Sequence, residues 1–207
     1  MKVNIISKLH ERTYRDYLAR MTPDKPKCMM LARQFGYNFF DGERKYGYGG
    51  YEYDGRFVPV AKALAERYNL TSKSDVLDYG CAKGFLTKDL RSLIMGIKVW
   101  GYDISEYAKE NAVTPIIQYD KKEHYDLIVS LGTLHNLTLP ELKETLQMFE
   151  KKGTHKYITV DSYRNEQELF NLQCWTLTCE CFFRPEEWEF LFKEWGYTGD
   201  WEPLFFT

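Results

Sequence analysis

A glycine-rich turn that follows an acidic residue is the first part of this sequence with the residue types of a ligand-binding site. The stretch DYGCAKG places Gly80, Ala82 and Gly84 at every second position behind Asp78. A dinucleotide-binding turn would need a small residue where Phe85 stands, and a phosphate-binding P-loop would need Gly-Lys followed by Ser or Thr. The small residues let the backbone approach a ligand closely. The carboxylate suits a ligand that carries an amino group and a sulfonium.

Two further aspartates follow the next two strand-like stretches. Asp103 comes after IKVWGY, and Asp120 comes after PIIQY. Because the carboxyl ends of successive parallel strands share one edge of a sheet, the three carboxylates are expected along one crevice. There Asp103 could accept hydrogen bonds from both hydroxyls of a ribose, and Asp120 could accept one from an adenine amino group. The alternative is that these aspartates only cap turns and helices.

The elements that must position these residues alternate between strand and helix. Buried-type strands are predicted at 75–79, 97–103, 115–120, 125–131 and 155–161, and helices at 84–93, 105–111 and 139–151. Apolar, β-branched strands separated by helices indicate a parallel sheet that is covered on both faces. The fold class is therefore α/β.

The two ends of the chain have other patterns. Polar helices are predicted at 7–20 and 25–36, an ordered loop rich in glycine and tyrosine at 39–56, and a helix at 57–68. After Pro185, apolar residues recur at helical spacing at Trp188, Leu191, Phe192 and Trp195. This stripe is typical of a helix face that packs on a core. Residues 197–206 could supply a closing hairpin.

Together these motifs resemble the class I S-adenosylmethionine-dependent methyltransferases. VLDYGCAKG is similar to the first motif of that family, VWGYDIS to its ribose-binding acid, QYD to its adenine contact, and YDLIVSLGTLHNL to its fourth strand and following loop. The resemblance covers residues 75–161 and departs from the family at Ala82, where glycine is usual. It implies a Rossmann-like methyltransferase fold with a mostly parallel, seven-stranded sheet and helices on both faces.

The resemblance also implies the cofactor, S-adenosyl-L-methionine, and the residues that bind it. Those residues are Asp78, Gly80, Cys81, Ala82, Gly84, Asp103, Ile104, Asp120, Ser130 and Leu131. The expected organisation is an N-terminal helical and tyrosine- and glycine-rich lid segment, 1–56, followed by the cofactor-binding domain, 57–207.

The residues after the fourth strand narrow the choice of methyl acceptor. Related DNA amino-methylases carry an acidic residue or Asn there, followed by Pro-Pro and an aromatic residue, and metal-dependent catechol enzymes carry an Asp. This chain has SLGT, beginning at Ser130, so neither class is favoured and no metal ion is expected. His135, in GTLHNL, lies on the loop that faces the methyl group in related enzymes. It is the candidate base or acceptor-orienting group, and a packed or capping histidine is the alternative.

Tyrosines and arginines on either side of this core are the candidate acceptor-binding residues. The tyrosine-rich loop could fold down as a lid, or it could be an ordinary packed loop. Its candidates are Tyr46, Tyr48, Tyr51, Tyr53 and Arg56. After the fifth strand, residues 161–164 are expected to open onto the same crevice. Tyr163 is a candidate there. Arg164 could pair with an anionic substrate or be merely solvated. Lys83, in the first motif, could also be merely solvated.

Composition narrows the class of protein further. The formal net charge of the 207-residue chain is -2, which argues against DNA or RNA as a partner. No apolar stretch approaches membrane-spanning length, and no signal peptide is recognisable. The chain has five cysteines, an odd number, so we expect a reducing cytoplasm and no disulfide framework. Cys174, Cys179 and Cys181 lack the spacing of a zinc knuckle.

The expected function is methyl transfer to an oxygen or nitrogen atom of a small molecule, either a metabolite or a sugar intermediate. The flanking stretches RKYGYGGYEYDGR and LTCECFFRPEEW are similar to bacterial methyltransferases associated with surface-polysaccharide building. A non-catalytic cofactor-binding regulatory domain and an RNA methyltransferase are the alternatives. The sequence predicts neither the identity of the acceptor nor the oligomeric state.

Overall fold

A parallel sheet forms the centre of the computed structural model, which describes residues 1–118 and 122–207. Its strands are β1 Asp75–Tyr79, β2 Lys98–Tyr102, β3 Ile117–Gln118, β4 Tyr125–Ser130, β5 Gly153–Ser162 and β6 Asp200–Phe205. Across the sheet they follow the order β3, β2, β1, β4, β5, β6. Every neighbouring pair is parallel, as the buried, β-branched strands predicted.

The C-terminal end of the chain differs from the expectation. Within the described residues the sheet has six strands and not seven, and residues 197–206 contain one strand, β6, in place of a hairpin. β6 runs parallel to β5 because a crossover helix returns the chain to the same end of the sheet. The outer edge of β6 is bridged by Lys2, in parallel, and Val3 N donates to Trp201 O at 3.0 Å. The first residues of the chain therefore cover the edge that a hairpin partner would have used.

Helices cover both faces of the sheet, as expected. They are α1 Ser7–Glu11, α2 Lys25–Ala32, α3 Tyr37–Phe40, α4 Val58–Arg67, α5 Phe85–Leu93, α6 Glu106–Glu110, α7 Leu139–Lys152, α8 Glu166–Trp175 and α9 Pro185–Trp195. Short 3-10 turns lie at Leu18–Arg20, Arg44–Tyr46 and Leu134–Asn136. None of the helices in the described parts of the chain is both long enough and apolar enough to cross a membrane.

Two apolar cores hold these layers together. On one face, α4 and α5 contribute Leu64 and Leu90, which pack beneath the sheet. On the other face, α7 and α9 contribute Phe149, Trp188 and Phe192. Trp188 is fully buried, and the remaining members of its stripe pack against the same core, which confirms the structural interpretation of that pattern.

The N-terminal helices are shorter than predicted. The predicted helix at 7–20 ends at Glu11, and only the 3-10 turn at Leu18–Arg20 follows, because the Arg15 guanidinium folds back onto the carbonyl oxygens of His10 and Thr13, both at 3.0 Å. The second helix ends at Ala32, because Phe35 adopts a left-handed backbone angle, φ 48°. These interruptions let the N-terminal segment follow the surface of the sheet domain.

A buried carboxylate fastens the beginning of the chain to β6. Glu202 accepts hydrogen bonds from the backbone N–H groups of Ile5, Ile6 and Ser7 at the start of α1, the closest at 2.6 Å. The hydroxyl of Tyr157 on β5 donates to the same carboxylate at 2.6 Å. A negative side chain at the start of a helix meets unpaired N–H groups there. Glu202 therefore positions α1 across the carboxyl ends of β5 and β6.

Candidate active site

Asp78 is buried at the carboxyl end of β1. Its side chain accepts a hydrogen bond, 2.9 Å long, from the hydroxyl of Thr87 on α5, and the backbone of Thr87 contributes as well. Burial, followed by the nearby carboxylate of Asp103, raises the pKa of Asp78 to about 7, although the Thr87 bond acts in the opposite direction. A carboxylate in this state gains most from a cationic ligand, since a positive charge favours its ionised form.

The glycines of the turn are required by its geometry. Gly80 has φ 81°, and a Cβ atom there would lie 2.1 Å from Thr133 Oγ1. Gly84 has φ 73° and is the residue immediately before α5. A Cβ atom on Gly84 would lie 2.8 Å from Ile116 Cδ1. Ala82 also has a left-handed backbone angle, φ 46°. This angle explains why glycine, which adopts it without strain, is usual at this position in the family. The loop is a tight cradle in which backbone can approach a ligand.

Asp103 lies one strand away, at the end of β2. Its carboxylate accepts the backbone N–H of Ala82 at 2.7 Å and that of Ser105 at 2.8 Å. Each oxygen keeps a further lone pair, so the group can still accept from two neighbouring hydroxyls. The next side chain, Ile104, is 70% exposed and offers an apolar surface beside it. This arrangement fits the nucleoside part of the implied cofactor. Asp120, the predicted adenine contact, lies outside the described residues.

Two predicted cofactor residues use their side chains for packing. The Ser130 hydroxyl is buried and donates to the carbonyl oxygen of Tyr79 at 2.8 Å, which ties β4 to β1. The Cys81 thiol lies close beside Gly101, and burial raises its pKa. Both side chains are therefore engaged in packing at the base of the loop.

A cavity of about 540 Å³ lies beside this turn, at the carboxyl ends of β4, β5 and β6. Of the predicted residues, Tyr48, Tyr51, Arg56, Leu131 and His135 line it. The glycine turn itself does not line the cavity. The two are joined by Thr133, whose side chain packs on Gly80 and which stands between the cavity residues Gly132 and His135. One edge of the sheet thus carries two adjoining compartments.

His135 lies in the cavity wall with its ring against Asp161. Its backbone oxygen accepts N–H bonds from Glu180 and Cys181, at 2.8 and 2.9 Å, which fix the 3-10 turn. The ring Nδ1 is 3.4 Å from Asp161 Oδ1 and is buried without a hydrogen-bond partner. Burial raises the pKa of Asp161, while His135 and Arg15 lower it. Because Asp161 faces Nδ1, the ring nitrogen left for a ligand is Nε2.

The tyrosine-rich loop has members on both sides of its backbone. Tyr51 is buried and stacks on Phe85 at the start of α5, with ring centroids 4.5 Å apart. Tyr48 stands next to it in the cavity wall, 4.4 Å away between centroids. Tyr46 packs instead among the residues around Cys28, and the Tyr53 hydroxyl donates to Asp89 at 2.5 Å. Only part of the predicted set therefore faces the cavity.

Lys83 pins this loop to the first motif. Far from being solvated, its side chain is buried, and Nζ lies 2.6 Å from a carboxylate oxygen of Asp41. The same carboxylate accepts from the Tyr107 hydroxyl at 2.6 Å and from Tyr51 N at 3.0 Å. Partial burial works against its ionisation, but the Lys83 and Tyr107 bonds lower the pKa of Asp41 overall. An ion pair therefore closes the loop over α5 and α6.

The residues after β5 do not all reach the cavity. Asp161 lines it, but the Tyr163 and Arg164 side chains lie elsewhere. Arg164 forms an ion pair with Glu168 and stacks on Phe205, with Cζ 4.0 Å from the ring centroid. The reason is the helix α8, unpredicted from sequence, which begins here: Asn165 caps it by accepting from Glu168 N at 3.0 Å. Asn followed by Glu three residues later is a helix-start signal that the sequence contained.

Most of the positive charge in the cavity wall was not predicted, Arg56 being the exception. Five arginines line the cavity, namely Arg12, Arg15, Arg20, Arg44 and Arg56. The only lining acids are Asp54, which pairs with Arg56, and Asp161. The available signal was local: residues 1–56 contain 11 basic and seven acidic residues, a net charge of +4 in a chain whose total is -2. The sum over the whole chain concealed it.

Comparisons with known proteins show the family and the fold of this chain. The family described as "Methyltransferase domain" matches residues 11–200. The plantazolicin methyltransferase BpumL in complex with SAH is 17% identical, covering 86% of this chain and 72% of its own, with a TM-score of 0.51. The YcgJ protein from Bacillus subtilis is 13% identical, covering 65% and 66%, with a TM-score of 0.50. A SAM-dependent methyltransferase from Archaeoglobus fulgidus is 21% identical, covering 66% and 67%, with a TM-score of 0.49.

At these identities the two structures with TM-scores of 0.50 or more, BpumL and YcgJ, establish the fold alone. A comparison with curated protein sequences finds no match.

Proposed function

The chain belongs to the methyltransferase-domain family, and on that premise we propose that it transfers a methyl group from its cofactor, S-adenosyl-L-methionine, to an oxygen or nitrogen atom of a small-molecule acceptor. The observation that carries the proposal is the cavity of about 540 Å³, which adjoins the glycine turn at Thr133 and contains His135 and Asp161. A cavity of this size accommodates a small molecule.

The compartment formed by the glycine turn and Asp103 would hold the cofactor. Asp78 would attract its positively charged part, Gly80 would let the backbone approach it, and Asp103 would accept hydrogen bonds from its ribose hydroxyls. The exposed side chain of Ile104 would offer an apolar surface to its base. When bound, the cofactor supplies an electrophilic methyl group on a sulfonium sulfur. The protein's main task is then to align the acceptor atom with it, since in-line displacement depends on position and orientation.

His135 prepares the acceptor. Its Nε2 takes a proton from an acceptor hydroxyl or amine, or orients a group that has already lost one. Asp161 Oδ1 lies 3.4 Å from Nδ1, so its negative charge would stabilise the positive charge that the ring gains. No carboxylate stands at the end of β4 for a metal ion, because Ser130 occupies that position and bonds to Tyr79. The proposed transfer is therefore metal-independent.

Residues 1–56 form the covering segment, and residues 57–207 form the cofactor-binding domain. Within the first, the tyrosine-rich loop acts as the lid. Asp41 and Lys83 hold it down over α5, while Tyr48 and Tyr51 stand at the border between the two compartments. A lid in this place keeps water from the transferring methyl group.

The test is a mass-spectrometric screen for a gain of one methylene over a panel of acceptors. The panel contains sugar nucleotides, other sugar intermediates, phosphorylated metabolites and amines, each incubated with the protein and S-adenosyl-L-methionine. The proposal is supported if wild-type protein methylates a member of the panel and the His135→Ala variant does so at least tenfold more slowly. Binding of S-adenosylhomocysteine (SAH) with no methylated product across the panel would favour a regulatory domain. Methylation of RNA alone would overturn the small-molecule assignment.

A further inference from the structure

Three arginines gather around one indole in the wall of the cavity. Arg20, Arg44 and Arg15 place their guanidinium carbons 4.0, 4.8 and 5.7 Å from the centroid of Trp175, the last residue of α8. We call Arg15, Arg20 and Arg44 the arginine cluster. An aromatic face attracts cations, but it does not neutralise them.

The protein does not pair these charges. Within residues 1–118 and 122–207, no carboxylate lies within ion-pair distance of the cluster. Arg20 donates only to backbone oxygens, those of Trp175 at 2.8 Å, Arg44 at 3.0 Å and Gly47 at 2.5 Å. Arg44 likewise donates to the oxygens of Gly47 and Tyr48, both at 2.9 Å. Carbonyl dipoles orient the guanidinium groups and leave their positive charge in place.

The cluster also keeps unused donor capacity. The Nε atoms of Arg15 and Arg20 are buried and have no hydrogen-bond partner. Burial first, and the neighbouring Arg44 second, lower the pKa of Arg20 to about 10. Mutual repulsion among these cations costs free energy, and an anion bound in the cavity would relieve it.

We propose that the arginine cluster binds an oxyanion, a phosphate or carboxylate group, carried by the methyl acceptor. This assignment rests on the proposed function. The paired N–H groups of a guanidinium match the geometry of both phosphate and carboxylate. A positively charged cavity in a chain of net charge -2 also concentrates anionic ligands. The acceptor would lie with its anionic end at Trp175 and its reacting atom near His135, which lines the same cavity.

The cofactor's own carboxylate is the competing occupant. The cluster stands against α8 and the residues that follow it, whereas the glycine turn and Asp103 lie outside the cavity lining, at the ends of β1 and β2. A small acceptor fills the cavity beside His135 from this side. The cofactor is therefore expected to bind independently of the cluster.

Direct titration of the full chain with inorganic phosphate and with citrate, by calorimetry at low ionic strength, tests the proposal. Each titration is run with and without saturating SAH. Saturable binding of phosphate alone assigns a phosphate, binding of citrate alone assigns a carboxylate, and binding of both assigns an oxyanion site. Saturable binding of neither anion up to about ten millimolar, where electrostatic screening is still moderate, would overturn it.

Variants then locate the binding. Arg20→Gln and Arg44→Gln should each weaken the anion at least tenfold and leave SAH affinity within about twofold. Arg33→Gln, at an exposed arginine that pairs with Glu180 outside the cavity, is the matched control and should change neither. Equal losses in Arg33→Gln and Arg44→Gln would show a general charge effect and overturn the site. A loss of SAH affinity equal to the loss of anion affinity would reassign the cluster to the cofactor.

Two outcomes keep the proposals separate. If Arg20→Gln does not fold, Arg44→Gln alone tests the site. The Arg44 guanidinium donates hydrogen bonds only to Gly47 and Tyr48, in its own loop. If wild-type protein binds the anion but no SAH, the proposed function fails while the anion site stands. If it binds SAH but no anion, only the further proposal fails.

Discussion

Replacing Asp78 with asparagine should stabilise the ligand-free protein while it weakens cofactor binding. The carboxyl is buried, and its pKa is raised to about 7 by burial and by Asp103. Asparagine keeps an oxygen that can accept the Thr87 hydrogen bond, but it never ionises. The change thus removes a buried charge and keeps an acceptor for the Thr87 hydroxyl.

The size of the effect follows from linkage. In the unfolded chain this carboxyl ionises above about pH 4, whereas the folded protein keeps its proton until about pH 7. The folded state binds more protons in that interval, so its stability falls as the pH rises from about 4 to about 7 and is constant above. At about 1.4 kcal/mol per pKa unit, Asp78→Asn should gain about 4 kcal/mol at pH 8 and about 2 kcal/mol at pH 5.

Urea denaturation of both proteins at pH 5 and pH 8, without cofactor, measures this difference. Asp24→Asn, at an exposed carboxylate before α2, is the control and should change stability by less than about 0.5 kcal/mol at either pH. In the same samples at pH 8, Asp78→Asn should bind SAH at least tenfold more weakly. A stability gain that does not grow with pH, or a loss of stability at pH 8, would refute the reasoning.

Three further predictions test the remaining parts of the site. Gly80→Ala should cost about 2–4 kcal/mol, because φ is 81° and the added Cβ would lie 2.1 Å from Thr133 Oγ1; unchanged thermal unfolding would contradict this. Asp103→Ala should weaken SAH at least tenfold in calorimetry, whereas His135→Ala should leave its affinity within about threefold and lower turnover. Equal SAH affinities in these two variants would contradict the assignment of Asp103. Asp41→Asn breaks the ion pair that closes the tyrosine-rich loop and should speed its cleavage in limited proteolysis; an unchanged cleavage rate would argue against a held-down lid.

The parts of the fold that local sequence determines could be predicted. β1 begins and ends at the predicted residues, because four consecutive residues buried between two helical layers, three of them apolar, leave a recognisable pattern. The stripe through Trp188 identified a core-facing helix for the same reason. The glycine turn was recognisable because positive backbone angles restrict the residue type, as at Gly80 and Gly84.

The parts that depend on distant partners could not be predicted. The outer edge of β6 is covered by the first residues of the chain and not by a hairpin partner, and these residues are held there by Glu202, almost 200 positions away from α1. Lys83 is buried because Asp41, 42 residues earlier, meets it. The arginine cluster forms only when two N-terminal turns reach Trp175 at the end of α8, which no local pattern foretells.

A crystal structure of the full chain with SAH distinguishes the two compartments directly. The ribose hydroxyls should meet Asp103, the adenine ring should lie beside Ile104, and the sulfur should face the cavity on the side of Tyr48 and His135. The arginine cluster should then be free of the cofactor. SAH lying within the cavity, with its carboxylate on Arg20 and Arg44, would contradict the division of this edge of the sheet into a cofactor compartment and an acceptor compartment.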